Sequence, residues 1–338
     1  MDFKNINTSK DGTELEFDMI GFDTSMANAL RRTVLGDIEN MGFNYEPKKT
    51  IEVLKNTTAL HDEFISHRIG LVPVLIPGWI DDKSEFKLDD YEFRLNVTEE
   101  SQREKGGIVT TDDFKLFKLN SLDDMMDEQS PELCKKCFIH EPVLITRFPK
   151  RDAAGQSLNL VAKLTTGTQS LNAGFSPVTV CSMYLNDDDK SHHFKVESVG
   201  LWKPTSFITT GFNNLIVKCD EIIKDVRKDE NSKAYEGKYL AVDFVLSGES
   251  HTMGNMIQEF IYKKEFPFTK ESKITHVSYH EPHPLENKII IRISLNDTLE
   301  EDFDNYREHV RNYFVDKVNE LKEHLNECYM TWKSRINS

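Results

Sequence analysis

The sequence predicts an α+β protein in which two similar units pair within one chain. Each unit runs in the same order, from an alternating strand and a turn to an amphipathic helix, further strands and a long helix. Both long helices carry continuous apolar stripes, and a helix of such length stays exposed unless another helix packs along it. We therefore expect an intrachain pseudo-dimer with a shared helical core, whose first unit is interrupted by an inserted, mainly β domain.

The first unit begins with a strand pattern at residues 13–20, where apolar and acidic side chains alternate. Asp23 or Thr24 then offers an N-cap to a helix that runs to about Ile38. The apolar stripe of this helix consists of Met26, Leu30, Thr33 and Val34. A strand followed at once by a helix with one apolar stripe predicts that this face is buried inside the protein.

The opposite face of the same helix carries Asn28, Arg32 and Leu35, while Arg31 lies beside the apolar stripe. A leucine exposed next to an arginine is typical of a surface that a partner protein buries. The sequence therefore predicts a docking face on this helix.

Residues 49–174 are predicted to form the inserted domain, because strand patterns dominate there. The predicted strands are 51–53, 91–97, 142–148 and 158–164, and a helix at 61–69 stops at Gly70. The first unit resumes at residue 175 and ends with the long helix 207–226, so that it comprises residues 1–48 and 175–230.

The polar segment 231–237 predicts a linker, and residues 238–338 form the second unit. That unit repeats the opening pattern with a strand at 240–246 and a helix from about Thr252, and it ends with a helix over about 299–334. We expect the pseudo-dimer interface to contain apolar residues of both units, namely Met26, Leu30, Val34, Leu215, Ile222, Met253, Met256, Phe260, Leu321 and Leu325.

The bulk composition favours a protein that holds other proteins over one that binds nucleic acid tightly. Its formal charge of −15 opposes sequence-independent DNA binding, which depends on lysine and arginine. No apolar run approaches the roughly 18–20 residues that span a bilayer, and the N-terminus lacks the apolar stretch of a signal peptide. Five scattered cysteines do not form a disulfide framework and suit a reducing, intracellular compartment.

Three blocks in the first part of the chain resemble the RNA polymerase alpha-like family. They are FDTSMANALRRTV at 22–34, NTTALHDEFISHRIGLVP at 56–73 and VESVG at 196–200, in the order and spacing of the family. That family includes the N-terminal domain of the bacterial alpha subunit, the archaeal D subunit and the third-largest subunit of eukaryotic RNA polymerase II. We call residues 1–48 and 175–230 the D-like half.

Residues 248–256, GESHTMGNM, resemble the signature of the small partner of that subunit, the archaeal L subunit or the eleventh subunit of the nuclear enzyme. The YHEPHP segment at 279–284 and the C-terminal helix are similar to the rest of that partner, and we call residues 238–338 the L-like half. Two chains of cellular enzymes are thus fused here, which is similar to RNA polymerases of large cytoplasmic DNA viruses. A viral origin would place the protein in the host cytoplasm and the virion, and a cellular origin in the nucleus.

The resemblance implies a non-catalytic scaffold subunit of a multisubunit DNA-directed RNA polymerase. Its implied partners are the largest and second-largest subunits and a small subunit of the tenth-subunit, archaeal N-like type. The residues expected to contact a large subunit are Asn28, Arg31, Arg32, Leu35, Glu63, His67 and Arg68. No catalytic residue, cofactor, membrane contact or tight nucleic-acid contact is expected.

Two other classes of function remain open on the sequence. Cys134, Cys137 and His140 have the spacing of half a zinc site, but a closed site needs four ligands, so we expect no metal there. A metal-dependent enzyme would in addition need a nucleophile or base, and none presents itself in a recognisable motif. A free-standing alpha-like adaptor or transcription regulator would lack stoichiometric large subunits.

Overall fold

The computed structural model describes residues 1–46, 48–76, 87–120, 125–138, 141–148, 155–186, 191–235, 237, 239–267, 272–296 and 303–337. Their strands are β1 (Asp2–Thr8), β2 (Glu14–Ile20), β3 (Asn40–Gly42), β4 (Ile51–Asn56), β5 (Tyr91–Thr98), β6 (Ile108–Thr110), β7 (Phe114–Leu119), β8 (Met126–Glu128), β9 (Leu144–Arg147), β10 (Ser157–Lys163), β11 (Thr165–Gly167), β12 (Val178–Leu185), β13 (Ser191–Ser198), β14 (Ser232–Ala234), β15 (Val242–Ser247), β16 (Ile274–His280) and β17 (Lys288–Leu295). The α-helices are α1 (Thr24–Gly36), α2 (Asp62–Gly70), α3 (Pro131–Lys136), α4 (Pro204–Val226), α5 (His251–Glu265) and α6 (Phe303–Ile336).

The chain folds into two compact units. The first consists of Met1–Leu35, Val180–Glu197 and Pro204–Ser338, and the second of Gly36–Thr179 and Ser198–Lys203. The first unit therefore joins the helices of the D-like half to the whole L-like half. This arrangement agrees with the α+β fold and the interrupted first domain that the sequence predicts.

The first unit contains two four-stranded sheets, with strand orders β1-β2-β13-β12 and β14-β15-β17-β16. In β2 the alternating pattern buries Leu15, Phe17 and Met19 completely. Phe17 is opposite Phe194 of β13, and their rings stack with centroids 5.1 Å apart. The half-buried strand predicted at 13–20 is confirmed.

Helices α4 and α6 pack along each other in opposite directions between the two halves of the first unit. At one end Trp332 Nε1 donates to Thr209 Oγ1 at 3.2 Å, and further along Lys322 Nζ donates to Asp220 Oδ1 at 2.6 Å. The packing of the two long helices is confirmed. This packing follows from the apolar stripes of the two helices, because each helix buries its apolar face against that of the other.

The two ends of the chain meet in this core. Phe3 of β1 and Phe17 of β2 lie 5.2 and 5.1 Å from the Trp332 ring of α6, between ring centroids. Arg335 adds two hydrogen bonds to the Asp2 carboxylate, at 2.9 and 2.8 Å. The first strand is thereby fastened to the last helix.

The second unit is mainly β, as predicted for the insertion. Its largest sheet is antiparallel with strand order β4-β10-β5-β7-β8, and two-stranded sheets are formed by β11 with β3 and by β6 with β9. Phe43, Phe93 and Phe114 form an aromatic core, with Phe43 and Phe93 edge to face at 5.3 Å. Strands β5 to β8 occupy described parts of 78–129, a region whose sequence pattern is irregular.

The segment predicted as a linker is not one throughout. Ser232–Ala234 is strand β14, which pairs with β15 from Phe244 to Val242. Ser232 is buried, and its hydroxyl accepts a hydrogen bond from the Arg311 guanidinium at 3.3 Å. The predicted linker therefore contains a polar strand, which is held by backbone pairing and a buried arginine and has no apolar pattern of its own.

Candidate functional site

The apolar stripe of α1 is buried against α4. A Cβ atom on Gly211 would lie 2.8 Å from Val34 Cγ2 and 3.0 Å from Leu30 Cδ1, so α1 approaches α4 closely at this glycine. Met26 is buried on the same face. The interior of the first unit therefore fixes which face of α1 points outward.

The predicted docking face of α1 is more engaged within the chain than the sequence suggests. Asn28 and Arg31 are half-buried, and Arg31 Nε donates to Asn28 Oδ1 at 3.0 Å. Arg32 is exposed. Leu35, expected to be exposed, is half-buried in the folded chain. The helical wheel was wrong about Leu35 because it gives only the direction of the side chain around α1 and contains no information about neighbouring parts of the fold.

Arg32 makes a contact that the sequence did not predict. Its Nε donates to Thr252 Oγ1 of α5 at 2.8 Å. At the other end of the same two helices, Lys263 Nζ of α5 donates to Asp23 Oδ1, just before α1, at 2.5 Å. Helices α1 and α5 therefore lie in opposite directions and are bridged at both ends, as in a two-fold interface.

Helix α5 is seated on the L-like sheet by Gly254. A Cβ atom there would lie 2.5 Å from Tyr279 Cδ2 and 2.9 Å from Ile289 Cδ1, so any larger residue would push the helix off the sheet. The Ser250 hydroxyl caps α5 by accepting from the Thr252 amide at 3.3 Å. Ser250 thus begins the helix, and Gly254 brings it close to β16 and β17.

Nine of the ten residues predicted for the pseudo-dimer interface are buried in the first unit. Those that are 3% exposed or less are Met26, Leu30, Val34, Leu215, Ile222, Met253, Met256, Leu321 and Leu325. Phe260 is half-buried, with its ring centroid 6.0 Å from that of His324 on α6. It lies at the margin of this core.

The other predicted contact residues, Glu63, His67 and Arg68, are exposed on α2 of the second unit. Arg68 Nη2 donates to the Leu144 carbonyl of β9 at 2.9 Å, and the His67 ring lies edge-on to Tyr45 with centroids 4.7 Å apart.

Sequence reasoning overlooked Phe64, which is 61% exposed on the same helix. A helical wheel could have shown it, because at about 100° per residue Phe64 lies about 100° from the buried Ile65 and about 140° from the buried Ile69. Helix α2 therefore presents an aromatic side chain with acidic and basic neighbours.

The cysteine pair lies in the core of the second unit. Cys134 Sγ donates to the Phe114 carbonyl at 3.4 Å, and Cys137 Sγ to the Leu133 carbonyl at 3.2 Å. Burial raises the pKa of Cys134 to about 11 and that of Cys137 to about 12. Both are therefore neutral thiols at pH 7. His140 lies outside the described residues.

Two further findings concern metal binding and membrane insertion. Within the ranges that the structure covers, no three side chains of histidine, cysteine, aspartate or glutamate come together as a metal site would require. None of the helices in those ranges is both long and apolar enough to cross a membrane.

Comparison with known proteins gives consistent matches. Residues 16–219 and residues 241–327 match two family models, both described as RNA polymerase Rpb3/Rpb11 dimerisation domain. The human DNA-directed RNA polymerases I and III subunit RPAC1 is 26% identical over 196 residues, which are 53% of this chain and 53% of the human protein. The protein of the same name in Saccharomyces cerevisiae is 27% identical over 203 residues, 54% of this chain and 57% of its own length.

An archaeal relative matches a shorter stretch. The DNA-directed RNA polymerase subunit Rpo3 of Pyrococcus furiosus is 34% identical over 101 residues, 30% of this chain and 35% of the archaeal protein. The chain spans about half the length of the human and yeast relatives it matches. Because the first family model alone covers more than half of the sequence, the chain belongs to the RNA polymerase Rpb3/Rpb11 dimerisation domain family.

Proposed function

We propose that this protein is a non-catalytic assembly subunit of a multisubunit DNA-directed RNA polymerase. The observation that carries the proposal is that elements of both matched dimerisation domains pair inside the first unit, with α4 along α6 as their shared core. The relatives named above are polymerase subunits by description. A unit whose apolar faces cover each other needs no second copy, and its outward helices are available to other subunits.

The proposed docking surface on the first unit is centred on the exposed Arg32 of α1. An arginine on a protein surface recognises a carboxylate through two parallel hydrogen bonds, which gives both affinity and orientation. Asn28, Arg31 and Leu35 flank it, half-buried, and define the rim of the contact. We assign the second-largest polymerase subunit as the partner of this face.

Helix α2 of the second unit offers another proposed contact. Glu63, Phe64, His67 and Arg68 are all exposed on this helix, and an aromatic residue among charged and polar neighbours is typical of protein interfaces. We propose that α2 also contacts large subunits. The largest subunit and a small subunit of the tenth-subunit type complete the proposed set of partners.

Fusion of the two dimerisation domains has a physical consequence. In separate chains the D-like and L-like halves must find each other, whereas here the connection at 231–237 keeps them at high effective concentration. The assembly platform is thus formed as soon as the chain folds. We further propose that the fusion marks a viral enzyme that acts in the host cytoplasm and is packaged in the virion.

The proposal is tested by native affinity purification of the tagged chain with mass spectrometry. The expected result is the recovery of two polymerase-sized chains in equal amounts with it. Absence of such chains would contradict the assignment and favour a free-standing adaptor or regulator.

The docking face is tested with Arg32→Ala. This variant is expected to lose most of the second-largest subunit, because truncating one member of a buried interfacial charge pair costs about 2–5 kcal/mol. Arg227→Ala, which removes an exposed arginine at the end of α4, is the matched control and should assemble normally. Normal assembly of both variants would contradict the assignment of this face, and thermal melting checks that each variant is folded.

A further inference from the structure

The hydrogen bond between Arg32 and Thr252 has a consequence for the proposed docking surface. The two residues are 220 positions apart in the chain and belong to different halves, yet Arg32 Nε and Thr252 Oγ1 are 2.8 Å apart. Thr252 is only 9% exposed and lies in the first turn of α5, where Ser250 caps the helix. The acceptor is therefore a fixed group on a rigid element, and it restrains a long side chain that is otherwise in solvent.

A guanidinium group can pair with a carboxylate along either of two edges, one containing Nε and the other formed by both Nη atoms. In Arg32 the Nε edge is occupied by Thr252, and no described residue accepts a hydrogen bond from either Nη atom. The edge that faces a partner is thus the one with both Nη atoms. A carboxylate on the partner would approach this arginine end-on.

Holding the guanidinium in advance also lowers the cost of binding. An unrestrained arginine loses considerable rotamer freedom when a partner captures it, and this loss weakens binding. The bond to Thr252 removes part of that loss before the partner arrives. Because Thr252 belongs to the L-like half, the orientation of Arg32 depends on the correct pairing of the two halves.

We propose that Thr252 is a positioning residue for Arg32, through which the L-like half aims the arginine of the D-like half at a carboxylate of the large subunit. The inference rests on the proposed function, and it adds that the docking face is shared between the two halves. If the D-like and L-like halves of a chain are not paired, Arg32 cannot bond to Thr252, and its guanidinium is expected to be poorly oriented.

The test uses the full chain with Thr252→Val and Thr252→Ser. Valine keeps the shape of threonine and removes the hydroxyl, whereas serine keeps the hydroxyl and removes the methyl group. The probe is the large subunit that co-purifies with the wild-type chain, isolated and titrated against immobilised variants. Thr252→Val is expected to bind a few-fold to about ten-fold more weakly, because the partner must then order the guanidinium itself, and Thr252→Ser should bind like the wild type.

A double-mutant cycle separates positioning from simple packing. If Thr252 acts through Arg32, adding Thr252→Val to Arg32→Ala should weaken binding no further. Wild-type affinity of Thr252→Val, alongside weak binding by Arg32→Ala, would overturn this inference and leave the proposed function standing. If Thr252→Val weakens binding equally in the presence and absence of Arg32, the positioning role is also overturned. If no large subunit binds the wild-type chain, the proposed function fails and this inference fails with it.

Discussion

Truncation of Leu325 tests whether the α4–α6 pair is the core of the pseudo-dimer. Leu325 is 0% exposed on α6, and one turn earlier Lys322 reaches across to Asp220 of α4. Leu325→Ala removes apolar atoms from the middle of this packing and leaves a cavity. Substitutions of this kind cost about 2–5 kcal/mol, which is a large part of the roughly 5–15 kcal/mol that stabilises a typical folded protein.

Met330→Ala is the matched control on the same helix. Met330 is 63% exposed, and methionine and leucine have nearly equal helix propensities, so the two variants differ chiefly in what the side chain packs against. We expect the control to change the free energy of unfolding by less than about 0.5 kcal/mol.

The assay is urea denaturation followed by far-UV circular dichroism, with the wild type and both variants at one protein concentration. The midpoint should fall clearly for Leu325→Ala and hardly at all for Met330→Ala. Equal and small shifts for the two variants would refute the argument that this helix pair holds the two halves together. A large shift for Met330→Ala would instead mean that the exposed face of α6 is covered in the native protein.

Three further predictions follow from the packing and the pKa directions. Gly254→Ala should lower the melting temperature, because its Cβ would lie 2.5 Å from the Tyr279 ring and overpacking of this kind costs about 1–3 kcal/mol; an unchanged melting curve would show that α5 can move away from the sheet. Burial raises the pKa of Asp18, but hydrogen bonds from Asn5, His193 and Asn186 together lower it by more, so that the net shift is downward. The ionised carboxylate therefore stabilises the fold above the unfolded pKa of about 3.9, and this stabilisation is lost as the pH falls through the lower folded pKa. Asp18→Asn should accordingly flatten the acid limb of a stability–pH curve, and a limb as steep as that of the wild type would contradict the assignment. Cys134 and Cys137, buried with raised pKa values, should react with Ellman's reagent at pH 8 only after unfolding, and rapid reaction of the native protein would show that these thiols are accessible.

The sequence predicted those features whose signal is local and periodic. The alternation around Phe17 indicated a strand, and the stripe around Leu30 indicated the buried face of α1, because periods of two and 3.6 residues reflect backbone geometry alone. The apolar stripes of α4 and α6 also predicted that these two helices pack against each other, because both stripes are long. The signature blocks predicted the family that the two domain matches show.

Only the tertiary structure decided the contacts between groups far apart in the chain. Nothing in the sequence indicated that Arg32 would bond to Thr252, that Leu35 would be half-buried, or that the polar residues at 232–234 would form a strand against β15. Polar and charged side chains carry no periodic signal, and their partners depend on which elements the packing brings together. The apolar pattern determined which faces were buried, and the pairing of the two halves then determined which polar groups met at their edges.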